Sequence, residues 1–253
     1  MTQSILKMEN GSFSYEEGRD AIHNINLEIN PGEKIAIIGN NGAGKSTFFL
    51  ALNGVIHLQK GSIYFHGEQI DYKRKSLMEL RKKVGMVFQN PDDQIIASTV
   101  EGEISFGLFN IGMKKEEVRK RVDVIMEELN LTKYSNRPPH FLSGGEKKRV
   151  TIADIVVMEP EMILFDEPTA SLDNKNIQIF KEQMVRLHQQ GVTLVVSTHD
   201  MNFVWEWADR VIVFSEGEVI ADDIPNSIFS NEDIVEKAAL QKPILFEFNN
   251  RGR

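Results

Sequence analysis

Five short apolar runs punctuate the chain: KIAIIG (34–39), VGMVFQ (84–89), MILFDE (162–167), VTLVVST (192–198) and RVIVFS (210–215). None alternates apolar with polar positions, and each stops at a turn or polar signal. Strands covered on both faces read this way, whereas half-exposed strands alternate with period two. Helical stretches lie between the runs, so the pattern predicts an α/β fold, a parallel sheet with crossover helices. The N-terminal region has another texture. Ile25, Leu27 and Ile29 alternate with Asn26 and Glu28, and GSIYFHGEQI (61–70) is a short apolar run between turn residues. These segments predict an antiparallel, half-exposed sheet packed beside the parallel one.

From about 91 to 160 the pattern turns helical. Val118, Val122, Ile125, Met126 and Leu129 recur at helical spacing with charged residues between them. A small helical lobe, residues 91–160, is therefore expected between the strand ending at Gln89 and the one starting at Met162. The domain runs over 1–240, and 241–253, ending FEFNNRGR, read as a peripheral helix fading into a loose tail. Repeats and low-complexity segments are not visible.

Composition narrows the function classes. With 41% hydrophobic and 26% charged residues in 253, the chain reads as an ordinary globular protein. A net charge of −8 argues against a nucleic-acid partner held by bulk charge. Zero cysteines rules out disulfides and thiolate metal sites, and fits a reducing compartment. MTQSILKMENGSF lacks the charged and apolar regions of a secretory signal. No apolar stretch reaches spanning length, so work at a membrane would need something else to hold the chain there.

Three motifs carry chemistry. GNNGAGKS (39–46) satisfies G-x4-G-K-[ST] directly after a predicted strand, with TFFLALNG behind it as a helix. Gly39, Asn40, Asn41, Gly42, Ala43, Gly44, Lys45, Ser46 and Thr47 are the candidate phosphate cradle: glycines let backbone N–H groups surround phosphate oxygens at a helix N-terminus. Lys45 would reach the β- and γ-phosphates and Ser46 would ligate Mg²⁺. MILFDEPTASLD (162–173) ends a strand in adjacent carboxylates. Asp166 is the natural outer-sphere partner of Mg²⁺ and Glu167 can polarise a water; the pair narrows the reaction to hydrolysis. LSGGEKKRV (142–150) is a second anion-binding device, because Ser143, Gly144 and Gly145 open a helix.

Three single residues complete the candidates. Gln89 sits between a buried strand and the polar turn NPDDQ, where its amide can touch Mg²⁺ or water; alone, a glutamine carries no signal. His199, at the end of VTLVVST, can hydrogen-bond a γ-phosphate or the attacking water. Tyr15 can stack on an adenine face, although an isolated aromatic is more often core.

Taken in order, GNNGAGKS, Gln89, LSGGE, ILFDE, SLD and STHD resemble the ATP-binding-cassette ATPases over roughly residues 5–240. The resemblance implies a P-loop NTPase (RecA-like) core with an N-terminal antiparallel β-subdomain and an inserted helical subdomain. It implies ATP and Mg²⁺ as ligands, and two nucleotides sandwiched between two copies, or a copy and a paralogue. Ser143, Gly144, Gly145 and Glu146 would then contact the ATP of the partner, and Asp173 would lie at the dimer seam. In-line attack by water would use Glu167 as general base, His199 to stabilise the developing geometry, and Lys45 to neutralise charge.

VGMVFQNPDDQI (84–95), TVEGEISFG (99–107) and WEWADRVIVFSEGEVI (205–220) are similar to the ATPases of energy-coupling-factor importers, most of all the cobalt-importer type called CbiO. That implies a peripheral subunit at the cytoplasmic face of the cell membrane, powering uptake of cobalt, or of nickel or a vitamin, through integral membrane subunits. A soluble ATPase working on ribosomes or nucleic acid is the competing reading; its tandem cassettes and basic arms are not seen. Two positions depart from the family: Asn174 follows LD where proline is usual, and Asp154 stands where a small residue is usual. Phe106, Leu108, Phe109 and Ile111 would either receive a membrane subunit's helix or form the lobe's own core.

Overall fold

The computed structural model describes residues 3–16, 19–170 and 172–250. In chain order its strands are β1 (Leu6–Glu16), β2 (Arg19–Ile29), β3 (Lys34–Ile38), β4 (Lys60–Phe65), β5 (Glu68–Gln69), β6 (Val84–Val87), β7 (Met162–Asp166), β8 (Thr193–Ser197), β9 (Arg210–Ser215) and β10 (Glu218–Asp223). Its α-helices are α1 (Lys45–Leu52), α2 (Arg74–Lys83), α3 (Val100–Asn110), α4 (Lys115–Glu128), α5 (Gly144–Val156), α6 (Asn174–Gln189), α7 (Met201–Trp207), α8 (Pro225–Ser230), α9 (Glu232–Lys237) and α10 (Ile244–Asn250).

All five unalternating runs are strands of one sheet, ordered β10-β9-β3-β8-β7-β6. β3 pairs parallel with β8 and β9, and β7 pairs parallel with β6 and β8; β10 adds an antiparallel edge. Their residues still alternate, but both destinations are apolar. Along β7, Met162 and Leu164 enter the core shared with the N-terminal sheet, while Ile163 and Phe165 enter the core under α3, α4, α5 and α6. Burial on both faces is what removes the polar half of the pattern.

The second sheet is antiparallel, ordered β2-β1-β4-β5. β2 shows the expected alternation, with Ile25, Leu27 and Ile29 buried and Asn26 and Glu28 exposed. Between β6 and β7 the chain forms the helical lobe. Val118, Val122, Ile125 and Met126 of α4 are buried, as is Leu129 at its C-cap. The four apolar residues at the end of α3 and its C-cap divide by face: Leu108 is fully buried and Ile111, the C-cap, packs against the lobe core, whereas Phe106 is 46% exposed and Phe109 50%. In the C-terminal segment, Phe246 of α10 packs against Phe229 and Trp205. Among the described residues no helix is long and apolar enough to cross a membrane.

Candidate functional site

The site forms where β3, β6, β7 and β8 end, the edge at which parallel sheets present ligand-binding loops. From Gly39 to Gly44 the chain curls back into α1, and Gly39, Gly42 and Gly44 all have left-handed φ, +142°, +78° and +105°. Two of these glycines are required by space as well as by conformation. A Cβ on Gly39 would lie 2.1 Å from the Phe214 carbonyl oxygen, and one on Gly44 2.5 Å from that of Ala21. Lys45 is buried, its Nζ donating to the carbonyls of Gly39 at 2.7 Å and Asn40 at 3.0 Å. An ammonium has three N–H groups, so one remains for a phosphate. Burial lowers the Lys45 pKa against the opposing charges of Glu167 and Asp166.

At the end of β7, Asp166 is buried and accepts a hydrogen bond from Ser197 Oγ at 2.5 Å. Glu167 follows in the left-handed region, φ +43°, a conformation that costs a non-glycine residue free energy and marks a site held by its surroundings. Here the holding group is Ser197, whose carbonyl accepts from the Glu167 N–H at 3.1 Å and whose hydroxyl accepts at 3.2 Å. His199 Nε2 lies 2.9 Å from Glu167 Oε1, at ion-pair distance, and this buried oxygen accepts no hydrogen bond among the described residues. Burial pushes the Glu167 carboxyl up to about 7, with Lys45 opposing, Asp166 adding, and the His199 backbone N–H opposing. His199 is lowered, first by burial and then by Lys45, with Asp166 opposing.

These groups share an open cleft of about 390 Å³ lined by Asn41–Thr47, Gln89, Asp166, Glu167, His199 and Tyr15. Ser46 is exposed within it; Thr47 is buried, with its Oγ1 3.3 Å from the Tyr15 hydroxyl. Tyr15 is 63% exposed and braced edge-on by Phe13, so its ring is presented to the cleft rather than spent in the core. Gly39 and Asn40 do not line the cleft; their carbonyls hold Lys45. Glu16, Asp20 and Ala21 do line it, although no motif marks them.

The LSGGE loop is elsewhere: none of residues 143–146 lines that cleft. Ser143 is the N-cap of α5 in a reciprocal capping box with Glu146. Glu146 is engaged locally, because Oε2 accepts from the Ser143 N–H at 2.8 Å and Oε1 accepts from the Tyr134 hydroxyl. These bonds hold the Glu146 carboxyl down at about 2, Tyr134 contributing most. Gly144 is open to solvent, and Gly145 packs so closely on Asn176 that a Cβ would come within 2.4 Å of its amide. Asp173 is exposed and caps α6, accepting from the Asn176 N–H at 2.8 Å and Nδ2 at 2.9 Å. Asn174 is the first residue of that helix, where a missing N–H is harmless; proline and asparagine both fit, and Asp173 supplies the cap either way. Sequence reasoning passed over Ser197, which positions both carboxylates, and Asn176. Ser197 opens the STHD stretch but its hydroxyl was given no role there, and Asn176 lies in no recognisable motif.

The ABC transporter family profile matches residues 22–170. Over 249 residues the chain is 41% identical to the energy-coupling factor transporter ATP-binding protein EcfA of Methanothermobacter thermautotrophicus, covering 98% of this chain and 80% of the relative. The EcfA of Methanococcus maripaludis is 44% identical over 240 residues, with 95% and 86% covered. Among solved structures, cbiO1 from Clostridium perfringens, described as part of the ABC transporter complex cbiONQ, superposes with TM-score 0.80 at 38% identity, covering 98% of this chain and 99% of that one. The ATP-binding cassette MJ0796, solved as a dimer in a post-hydrolysis state with ADP and Pi, superposes with TM-score 0.80 at 31% identity over 87% of this chain and 98% of that one. A P-loop, a strand-end carboxylate pair and a separate LSGGE helix in one fold, with likeness along almost the whole chain, have one reading: the chain belongs to the ABC transporter ATP-binding family and is an ATPase subunit of an energy-coupling-factor type transporter.

Proposed function

We propose that two copies of this chain, or one copy and a paralogue, close head to tail over two ATP molecules. That closure drives uptake of a transition-metal ion, cobalt or nickel, through integral membrane subunits at the cytoplasmic face of the membrane. One observation carries the dimer: the cleft of Lys45 and Glu167 lacks the LSGGE loop, which opens α5 at a different surface. Each chain then offers two half-sites, completed only by the partner's Ser143, Gly144 and Gly145. The cassette MJ0796, a relative of the same fold solved as a dimer, supports this arrangement. Glu146 contributes through its capping box, which fixes the loop's shape.

Within each cleft Lys45 binds the β- and γ-phosphates, Tyr15 stacks on the base, and Asp173 sits at the seam. Glu167 takes the proton of the attacking water, and its Oε1, which accepts no hydrogen bond among the described residues and lies beside His199, is the atom placed to do so. His199 holds that water in line. The donor set fits Mg²⁺: an exposed Ser46 hydroxyl, the Asp166 carboxylate and the Gln89 amide all face the cleft. When bound, Mg²⁺ neutralises charge on the phosphates.

The Glu167 carboxyl, raised to about 7, gives the reaction a pH signature. A base works deprotonated, and kcat/KM reports the free enzyme, so kcat/KM for ATP is expected to rise with pH along a limb centred near 7. Burial, and then Lys45, hold the His199 imidazole below its ordinary value, so the histidine is shifted away from that limb rather than toward it. A limb at the ordinary carboxylate value of 4.5 would remove Glu167 from the role.

The metal cargo is supported by the local likeness to the cobalt-importer type and by the fold match to cbiO1. Phe106 and Phe109 on α3 offer the apolar surface to receive a membrane subunit's helix. The test is gentle solubilisation of native membranes and capture of the tagged chain. Integral membrane proteins in stoichiometric amounts, in vesicles that accumulate Co²⁺ or Ni²⁺ on ATP addition, are the expected result. Vesicles that accumulate a vitamin instead overturn the cargo alone. Ribosomes, nucleic acid or nothing overturn the transporter reading.

A further inference from the structure

The signature helix α5 buries a lysine that the chemistry above leaves unused. Lys148 is 2% exposed, and its Nζ donates to the carbonyls of Phe88 and Gln89, both at 2.8 Å. Among the described residues no carboxylate lies within ion-pair distance of it. Burial pushes its ammonium down to about 8, opposed only by the more distant charge of Asp166. Removing an ammonium from water without a paired anion is costly, so the two carbonyl bonds are its main compensation.

Three further contacts bind the same stretch to the same helix. Lys147 Nζ pairs with Asp92 Oδ1 at 2.6 Å. Gln94 Nε2 donates to the Thr151 carbonyl at 3.1 Å and to Asp154 Oδ2 at 3.3 Å, while Gln94 Oε1 accepts from the Phe88 N–H at 3.2 Å. The loop from Phe88 to Gln94 is therefore pinned along two turns of α5, whose first residues are the LSGGE device. Asp154 is part of this brace.

We infer that Lys148 is a positioning residue that locks the Gln89 loop to the signature helix, so that displacement of Gln89 in one nucleotide cleft moves the Ser143 loop serving the other. The inference rests on the proposed reading, in which Gln89 faces Mg²⁺ and Ser143 acts in trans. It adds the mechanical link between them. Rigid linkage through a buried donor to two main-chain acceptors transmits a shift without lost motion, because packed interiors yield little.

The test is a double-mutant cycle on the full chain, reading kcat for Mg²⁺–ATP hydrolysis and ATP affinity separately. Lys148→Met is expected to lower kcat roughly 3–30-fold, the usual range for a residue on a coupling network, with ATP affinity unchanged. Lys148→Gln, which still donates to carbonyls, is expected to restore most of the rate. In a Gln89→Ala background Lys148→Met is expected to add no further loss, since coupled residues are non-additive. Asp92→Ala, on the surface and harmless to folding, is expected to show a smaller loss that also vanishes in that background.

Full additivity for both Lys148→Met and Asp92→Ala overturns the inference, as does a Lys148→Met enzyme with wild-type kcat or with a loss confined to ATP affinity. If Gln89→Ala alone leaves turnover intact, the role given to Gln89 is what fails, and the inference falls with it. If Gln89→Ala is slow and Lys148→Met is not, only the inference fails.

Discussion

Glu167→Gln is expected to lower ATP turnover by about 10²–10⁴-fold, the usual span for a positioned general base, while sparing ATP affinity. The amide matches the carboxylate in shape but cannot take the proton of the attacking water. Its backbone is held from outside, by the carbonyl and hydroxyl of Ser197, so the substitution does not release the strand end. The lost charge matters little for binding, since burial keeps this carboxyl half protonated near pH 7 in the free enzyme. The pH limb predicted for kcat/KM should vanish with it. Turnover and ATP affinity measured side by side decide the matter. A wild-type rate makes the base assignment wrong, and weakened ATP binding makes Glu167 a binding group instead.

Much of this site was legible before folding because its parts are local. The strand KIAII, the glycines after it and Lys45 lie within a dozen residues, and their conformations are demanded by spacing alone. Asp166 and Glu167 are likewise announced by the buried strand before them. What the sequence hid depends on contacts between distant segments. β1 escaped notice because Asn10 takes φ +50° and the register with β2 slips between Met8 and Gly11. Alternation breaks at such bulges. β10 is an edge strand that is nowhere fully buried and ends in Asp222 and Asp223, so it reads as loop. Phe106 and Leu108 look alike in sequence, and only the packing of α3 on α5 buries one and exposes the other. Lys148 is the sharpest case. A lysine after Lys147 reads as a solvated face, and nothing short of the docked Gln89 loop reveals it as a buried donor.

Mixing Lys45→Ala chains with Ser143→Arg chains is expected to restore activity that neither possesses alone. Lys45→Ala removes the buried ammonium of the cleft, and Ser143→Arg both deletes the cap of α5 and fills the space a partner's phosphate needs. A homodimer of either variant has two damaged sites. In a heterodimer the damage segregates: one site carries both defects, and the other has an intact Lys45 from one chain facing an intact Ser143 from its partner. This follows from the two-fold exchange of a symmetric dimer, in which each surface meets the other's complement. Random mixing makes about half the dimers heterodimers, each with one intact site of two, so recovery should approach about a quarter of wild type if the sites turn over independently. If the sites must fire together, ATP-dependent dimerisation returns without turnover, which separates assembly from coupling. Recovery of neither dimer nor activity would mean that the LSGGE loop serves the chain that carries it. The distance between that loop and its own cleft would then have to close by a motion of α5, which the brace at Lys148 opposes.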